Sequence, residues 1–343
     1  MGETSREAAM IAEKSRGYEH PHMTTPDTTT ESIAGSGSDA VPAALTIAPR
    51  RFFFVVNPRS GNYFKWVVQL RLGEFLITEG VSGEVHYLRD TETLRQQLER
   101  AYGEGYRDFV AVGGDGTVSL VAGLLRGRDC RIGIVPVGTT NMLAQMLKIP
   151  VGTRRALEVL RTSEQARRID ALAVGDGMYF LNASAGLSSF SVADLRTEEK
   201  SYFKLLAYFL AVVRSMRRAR TRRFHLTVDG QPHEIEAAEL FVDNAGALWM
   251  PRYRTSDARL DDGFAEVCYV SKATLSELWS AILDVLLVRK DRQALRRTAR
   301  ARTVRLDCED RLPVQADGDP VAFTPVDITV LPAAVSFIVP DRP

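Results

Sequence analysis

The sequence predicts an α/β fold in two parts: a first domain built on a mainly parallel sheet, then a mainly antiparallel second domain. Between residues 51 and 160, short apolar runs alternate with segments of helical periodicity, the pattern of βαβ units. After about Arg168 the helical crossovers thin out, and strand-like runs follow one another across Gly or Asp turns, as antiparallel pairing requires. Glycine-containing turns close several of the early strands and mark where a ligand would sit.

Residues 1–48 are rich in Thr, Ser, Gly and Glu and read as a disordered tail. Residues 52–56 form an unbroken apolar run closed by Asn57-Pro58, the signature of a buried strand. Residues 63–78 have helical spacing through Trp66, Leu70 and Phe75. Strands are expected at 85–88, 108–112 and 131–135, and helices at 91–102, 118–125, 142–147 and 153–160. In the second part, strands are expected at 169–174, 178–183, 224–228, 235–242, 265–270, 304–306, 313–315, 327–331 and 336–339. Helices at 202–217 and 274–288 interrupt them. The domains then run from 49 to 166 and from 167 to 343, with room for the last strand to return to the first.

Composition narrows the function classes. At 343 residues the chain can support two cores. It is 45% hydrophobic and 25% charged, and its net charge of +1 gives no reason to expect a nucleic-acid partner. The charge is uneven: six arginines and no acid lie from Arg214 to Arg223, and a second basic run covers 289–302, broken by Asp291. Solvated helix faces would account for both, and so would contact with an anionic bilayer. Cys130, Cys268 and Cys308 lack CxxC spacing, which argues against a disulfide framework or zinc site and for a reducing compartment. No apolar run is long enough to span a bilayer, and the acidic N-terminus does not read as a signal peptide. The expectation is a cytoplasmic protein, peripherally associated with the inner face of the cell membrane.

Four segments carry the chemistry: Asn57-Pro58-Arg59-Ser60-Gly61, Gly113-Gly114-Asp115-Gly116-Thr117, Pro136-Val137-Gly138-Thr139-Thr140-Asn141 and Asp317-Gly318-Asp319. The first three follow predicted parallel strands, where open α/β sheets place their ligands. In the second, glycine lets consecutive backbone N–H groups close on an anion, and the helix behind adds partial positive charge. Any one of them could be an ordinary turn. Together on one sheet edge they suit a polyphosphate. Walker A and GxGxxG signatures are absent.

This ordered set resembles the diacylglycerol kinase catalytic family, the lipid kinases that include sphingosine and ceramide kinases. NPRSG at 57–61, GGDGT at 113–117, IVPVGTTN at 134–141, DDG at 261–263 and DGD at 317–319 carry the resemblance, which covers roughly Arg51 to Pro340. A GGDGT turn alone is shared with NAD kinases and phosphofructokinases. The resemblance implies an N-terminal three-layer α/β nucleotide-binding domain with a mainly parallel sheet, then a C-terminal mainly antiparallel β-sandwich. It implies an ATP- and Mg²⁺-dependent kinase that phosphorylates a hydroxyl of diacylglycerol or a related lipid such as ceramide or a sphingoid base.

By the same resemblance Asn57, Ser60, Gly61, Gly113, Gly114, Gly116, Thr117, Gly138, Thr139 and Asn141 contact nucleotide and phosphate. Asp115 is the central acid, helping to hold Mg–ATP or to activate the acceptor hydroxyl. Asp170 opens the second domain and faces the site. Asp319 stands where the family usually has glutamate and is the candidate general base. Asp261 and Asp262 match a structural cluster able to hold Mg²⁺; read plainly, they are an exposed turn. Three departures stand out: Met142 where many members have aspartate, Ser119-Leu120 for a frequent Asn-Glu pair, and Asp319 itself.

The expected partners are a membrane lipid substrate and an anionic membrane surface met through the basic helices, with a homodimer left open. Two other readings remain: a soluble NAD kinase-like small-molecule kinase, and a catalytically inactive lipid-binding or regulatory protein.

Overall fold

The computed structural model describes residues 50–61, 65–78, 81–186, 220–246, 258–271 and 295–341. The expected tail and the helices at 202–217 and 274–288 lie outside the described residues.

Phe52, Phe53 and Phe54 are fully buried in β1 (Arg50–Val56), because a parallel strand covered on both faces has no polar side to alternate with. Strands β2 (Val81–Tyr87), β1, β3 (Asp108–Gly113) and β4 (Arg131–Pro136) lie side by side in that order, all parallel. The connecting helices are α1 (Lys65–Leu76), α2 (Thr91–Gly103), α3 (Asp115–Leu124), α4 (Met142–Met146) and α5 (Thr153–Thr162). Since β1 has β2 on one side and β3 on the other, the winding reverses between β1 and β3. The crevice beyond the C-terminal ends of these two strands is the topological switch point, the usual ligand position of such sheets.

Helix α2 begins at a side-chain cap. Asp90 ends the loop before α2 and accepts from the Thr93 amide at 2.7 Å and the Thr93 hydroxyl at 2.9 Å. Asp90→Ala is expected to destabilise the chain, read as a lower urea midpoint with no change in the slope. Trp66, one of the apolar positions that give residues 63–78 helical spacing, is 62% exposed.

The second half supplies β5 (Ala166–Val174), β6 (Gly177–Tyr179), β7 (Asn182–Gly186), β8 (Arg222–Val228), β9 (Gln231–Ala237), β10 (Glu239–Asp243), β11 (Ala265–Val270), β12 (Leu295–Ala301), β13 (Thr303–Cys308), β14 (Pro313–Ala316), β15 (Asp319–Phe323) and β16 (Val326–Ile338). Six of them form an antiparallel sheet in the order β12-β11-β10-β7-β14-β15. The others extend the first sheet, because β16 pairs in parallel with β4 at Ser336–Arg131 and Phe337–Ile132 and antiparallel with β13 and β5. Leu226, Leu306 and Ile328 of this extension meet Leu240, Val267 and Val314 of the six-stranded sheet in one buried cluster. The result is an α/β domain with a mainly parallel sheet joined to an antiparallel β-sandwich.

Four sequence expectations are corrected. The runs at 178–183 and 235–242 each split in two, since the chain leaves the first sheet after β6 and β9 and enters the second as β7 and β10. A period of two marks strands but not a change of sheet. The runs at 327–331 and 336–339 are one strand, β16, with a register shift between Leu331 and Val335 where Ala333 takes φ 47°. Finally, the later part of the basic run at 289–302 is strand β12, whose exposed Arg296 and Arg297 lie on a sheet edge, where charge discourages pairing with other chains.

Candidate functional site

Three of the four glycine segments meet at the ends of β1, β3 and β4. Thr117, 4% exposed, is their junction: its Oγ1 accepts from Asn57 Nδ2 at 2.9 Å and lies 3.3 Å from Ser60 Oγ. The Arg59 amide donates to Asn57 Oδ1, and the Asn57 amide donates to the Val112 carbonyl of β3. Asn57 therefore spends its whole side chain on fixing the loop. Between the second and third segments the backbones nearly touch. A Cβ on Gly138 would lie 2.6 Å from Gly114 Cα, so only glycine permits this approach. Asn141, with φ 46°, accepts from the Gly138 amide and donates to the Gly138 carbonyl, both at 2.8 Å, and is buried. Asn57, Thr117 and Asn141 thus shape the edge from within, while Ser60, Gly61, Gly116 and Thr139 keep exposed surface on it.

Asp115 opens α3 and ties it to α4. Its Oδ2 accepts from the Met142 amide at 3.0 Å and the Thr140 hydroxyl at 3.1 Å, and its Oδ1 accepts from the Leu143 amide at 3.0 Å. A carboxylate on the first amides of a helix is the favoured electrostatic arrangement. Met142 itself is buried among apolar residues, so the departure at this position places sulfur in the core and leaves its amide on Asp115.

The fourth segment joins them from the second domain. Asp317, the first acid of the Asp-Gly-Asp segment, is its main anchor. Its Oδ1 accepts from the Leu181 and Asn182 amides and its Oδ2 from the Phe180 amide, with Ser119 Oγ of α3 at 3.5 Å. Burial pushes its pKa up to about 6; the three amides oppose this, and the charge of Asp115 adds to it. Since the folded value exceeds the ordinary 3.8, this group's contribution to stability is full below about pH 4 and is lost as pH rises through about 6. Asp317→Asn, which cannot titrate, is expected to remove that decline from urea midpoints measured between about pH 4 and pH 8.

Two residues on, Asp319 reaches the Gly113–Thr117 turn. Its Oδ2 would lie 3.1 Å from a Cβ built on Gly116. Burial, then the charges of Asp319 and Asp317, raise the phenol pKa of neighbouring Tyr179 above its usual value. Asp115, Asp317 and Asp319 are therefore grouped at the start of α3. Of these, Asp317 had only one readable signal in the sequence: an acid two residues before Asp319 in a glycine turn.

Asp170 is placed elsewhere. It is 2% exposed, and its two oxygens accept from the Gly263 amide at 2.6 Å and the Ala333 amide at 2.7 Å. Its carboxylate brackets the Asp-Asp-Gly turn to the irregular part of β16, toward the end of the sheet where β3 and β4 begin, and no hydrogen bond links it to Asp115 or Asp319 among the described residues. Asp261 and Asp262 also lie away from the turns. Arg167 and Arg259 bind Asp261 at 2.7 and 3.3 Å, and Arg300 binds Asp262 at 2.6 Å. Burial alone would raise the Asp261 pKa, but the two guanidiniums outweigh it and hold the carboxyl low. Paired in this way, the two acids do not fit a Mg²⁺ site, and no group of three His, Cys, Asp or Glu side chains placed to hold a metal occurs among the described residues.

Comparison with known proteins agrees with this architecture. Residues 51–174 match the diacylglycerol kinase catalytic domain, and residues 182–339 match the YegS C-terminal NAD kinase beta sandwich-like domain. Diacylglycerol kinases of Staphylococcus aureus strains JH9 and Newman are each 27% identical over 235 residues, 67% of this chain and 73% of theirs. The crystal structure of a diacylglycerol kinase from Bacillus anthracis str. Sterne shares the fold, with a TM-score of 0.66 at 18% identity over 85% of this chain and 98% of that one. With its glycine turns at the switch point and both domains matched in order, the chain belongs to the diacylglycerol kinase catalytic-domain family of kinases.

Proposed function

We propose that the chain transfers the γ-phosphoryl group of ATP to a hydroxyl of diacylglycerol or a related lipid such as ceramide. The observation that carries this reading is the Asp319 carboxylate set against Gly116 on the first turn of α3, at a sheet edge stripped of side chains by glycine. The Gly114–Gly138 approach leaves backbone where side chains would otherwise stand, and, with the Thr117 and Val118 amides bonded to the Gly114 carbonyl, those of Asp115 and Gly116 are the ones without a preceding helix carbonyl. Such an edge fits the phosphates of a nucleotide. The relatives are named for the same activity.

In this reading Gly114, Gly116 and the Ser60 and Thr139 hydroxyls hold the phosphate charge, and ATP, when bound, supplies the transferable group. Asp319 takes the proton of the lipid hydroxyl as that oxygen attacks phosphorus. Asp115 keeps α3 and α4 at fixed separation, and Asp317 keeps Asp319 at the turn. Mg²⁺ enters with the nucleotide rather than at residues 261–262. The lipid is met from the bilayer surface: no helix among the described residues is long and apolar enough to cross a membrane. Arg222 and Arg223, within the described end of the basic cluster, pair with Asp310, Glu234 and Glu236, which leaves bilayer contact in this proposal to Arg220 and residues 202–219.

The test is incubation with γ-labelled ATP, Mg²⁺ and detergent micelles carrying diacylglycerol, ceramide or sphingosine, with NAD as a soluble acceptor. Label in a lipid phosphate supports the proposal. Label on NAD alone would establish the soluble-kinase reading instead, and no label anywhere with folded protein would leave the regulatory one.

A further inference from the structure

At the opposite end of the parallel strands a cavity of about 880 Å³ opens between the starts of β3 and β4 and the irregular part of β16. Arg51, Arg107, Arg128, Arg131 and Arg168 line it, against two acids, Asp108 and Asp129. Asp108 is already engaged: Arg131 binds both its oxygens at 2.7 and 2.8 Å, and Arg50 adds a third contact at 3.3 Å. Among the described residues, Arg51, Arg107, Arg128 and Arg168 have no carboxylate partner within ion-pair distance. The lining therefore carries net positive charge that the protein does not itself balance.

Three of these guanidiniums are held on aromatic rings. Arg51 sits 4.3 Å from the Tyr106 ring centre, while Arg107 and Arg128 share the Tyr102 ring at 4.2 and 4.8 Å. Arg107 also donates to the Tyr102 and Tyr106 carbonyls. Stacked arginines lose less freedom on binding and keep their edge N–H groups for an acceptor. Two cations on one ring repel each other, and an anion between them relieves that repulsion. Planar guanidiniums match phosphate oxygens in pairs.

We infer that this cavity binds a multiply charged phosphate-class anion, either a soluble phosphate ester or the phosphate of an anionic lipid headgroup. It is a second site. At about 3.3 Å per residue, the six-residue strands β3 and β4 put it roughly 20 Å from the glycine edge. The inference stands whether or not the acceptor of the kinase is a lipid.

Calorimetric titration of the full chain with pyrophosphate in low salt tests it, beside co-sedimentation with phosphatidylcholine vesicles with or without about one-fifth phosphatidate. The variants are Arg128→Gln/Arg168→Gln, whose exposed side chains make no ion pair, and Gly116→Asp, which places a negative charge on the glycine edge. Melting curves confirm that both are folded. The double variant should weaken binding about tenfold or more, and Gly116→Asp should leave the cavity's binding intact. Loss of pyrophosphate binding with the vesicle result unchanged identifies a soluble ester; loss of phosphatidate-dependent sedimentation identifies a lipid headgroup. Wild-type affinity of the double variant for both probes, or no binding of either by the wild type, overturns the inference.

Discussion

Asp319→Asn is expected to lower kcat for phosphoryl transfer about a thousandfold, within the range that a positioned general base contributes. Asparagine preserves shape and cannot take a proton at neutral pH. Asp319 is exposed at the start of β15 with its Oδ2 toward the turn, and asparagine keeps the size of the side chain there. The melting temperature and the KM for ATP should stay close to wild type. Asp319→Glu, which restores the carboxylate one methylene further out, should recover most of the rate. Equal kcat for Asp319→Asn and wild type would remove Asp319 from the chemistry and return the question to Asp115.

Asp115→Ala should instead damage both rate and stability. Removing this carboxylate strands the part-buried amides of Met142 and Leu143 and the Thr140 hydroxyl. At about 1–3 kcal/mol for an unsatisfied donor, a loss of roughly 2–4 kcal/mol is expected in urea denaturation. Nucleotide affinity should fall with it, because the edges at Gly114 and Gly138 are aligned through the α3–α4 tie. Asp115→Asn keeps an acceptor oxygen and should recover part of the stability. A pure metal-binding or proton-transfer role predicts otherwise: Asp115→Ala would lose kcat at an unchanged urea midpoint. Measuring both quantities on the same protein separates the two accounts.

These contrasting expectations show what the sequence could and could not convey. The strands were legible because full burial writes itself as unbroken apolar runs, such as Phe52-Phe53-Phe54. Turns that end them were legible through glycine. Which atoms of the motif face outward was not. Asn141 and Asn57 read as ligand contacts, yet their side chains bond to their own loops or to Thr117. The partners of Asp317 lie about 135 residues earlier in the chain, in a bend with no motif of its own. Asp170, whose acid suggested a place facing the site, satisfies two backbone amides brought to it by the Asp-Asp-Gly turn and by β16. Hydrogen bonds to backbone leave no residue-type signature, so a carboxylate used for architecture reads the same as one used for chemistry.

The pairing of β16 with β4 sets the order in which this protein can be made. Arg131 and Ile132 are joined by Ser336 and Phe337, roughly 200 residues later. A ribosome therefore exposes β4 as an unpaired edge until β16 follows, and the α/β half cannot close its sheet as an early, independent unit. Long loop closure of this kind slows folding. Chaperone demand should accordingly concentrate on nascent chains that have emerged beyond β4 but still lack β16.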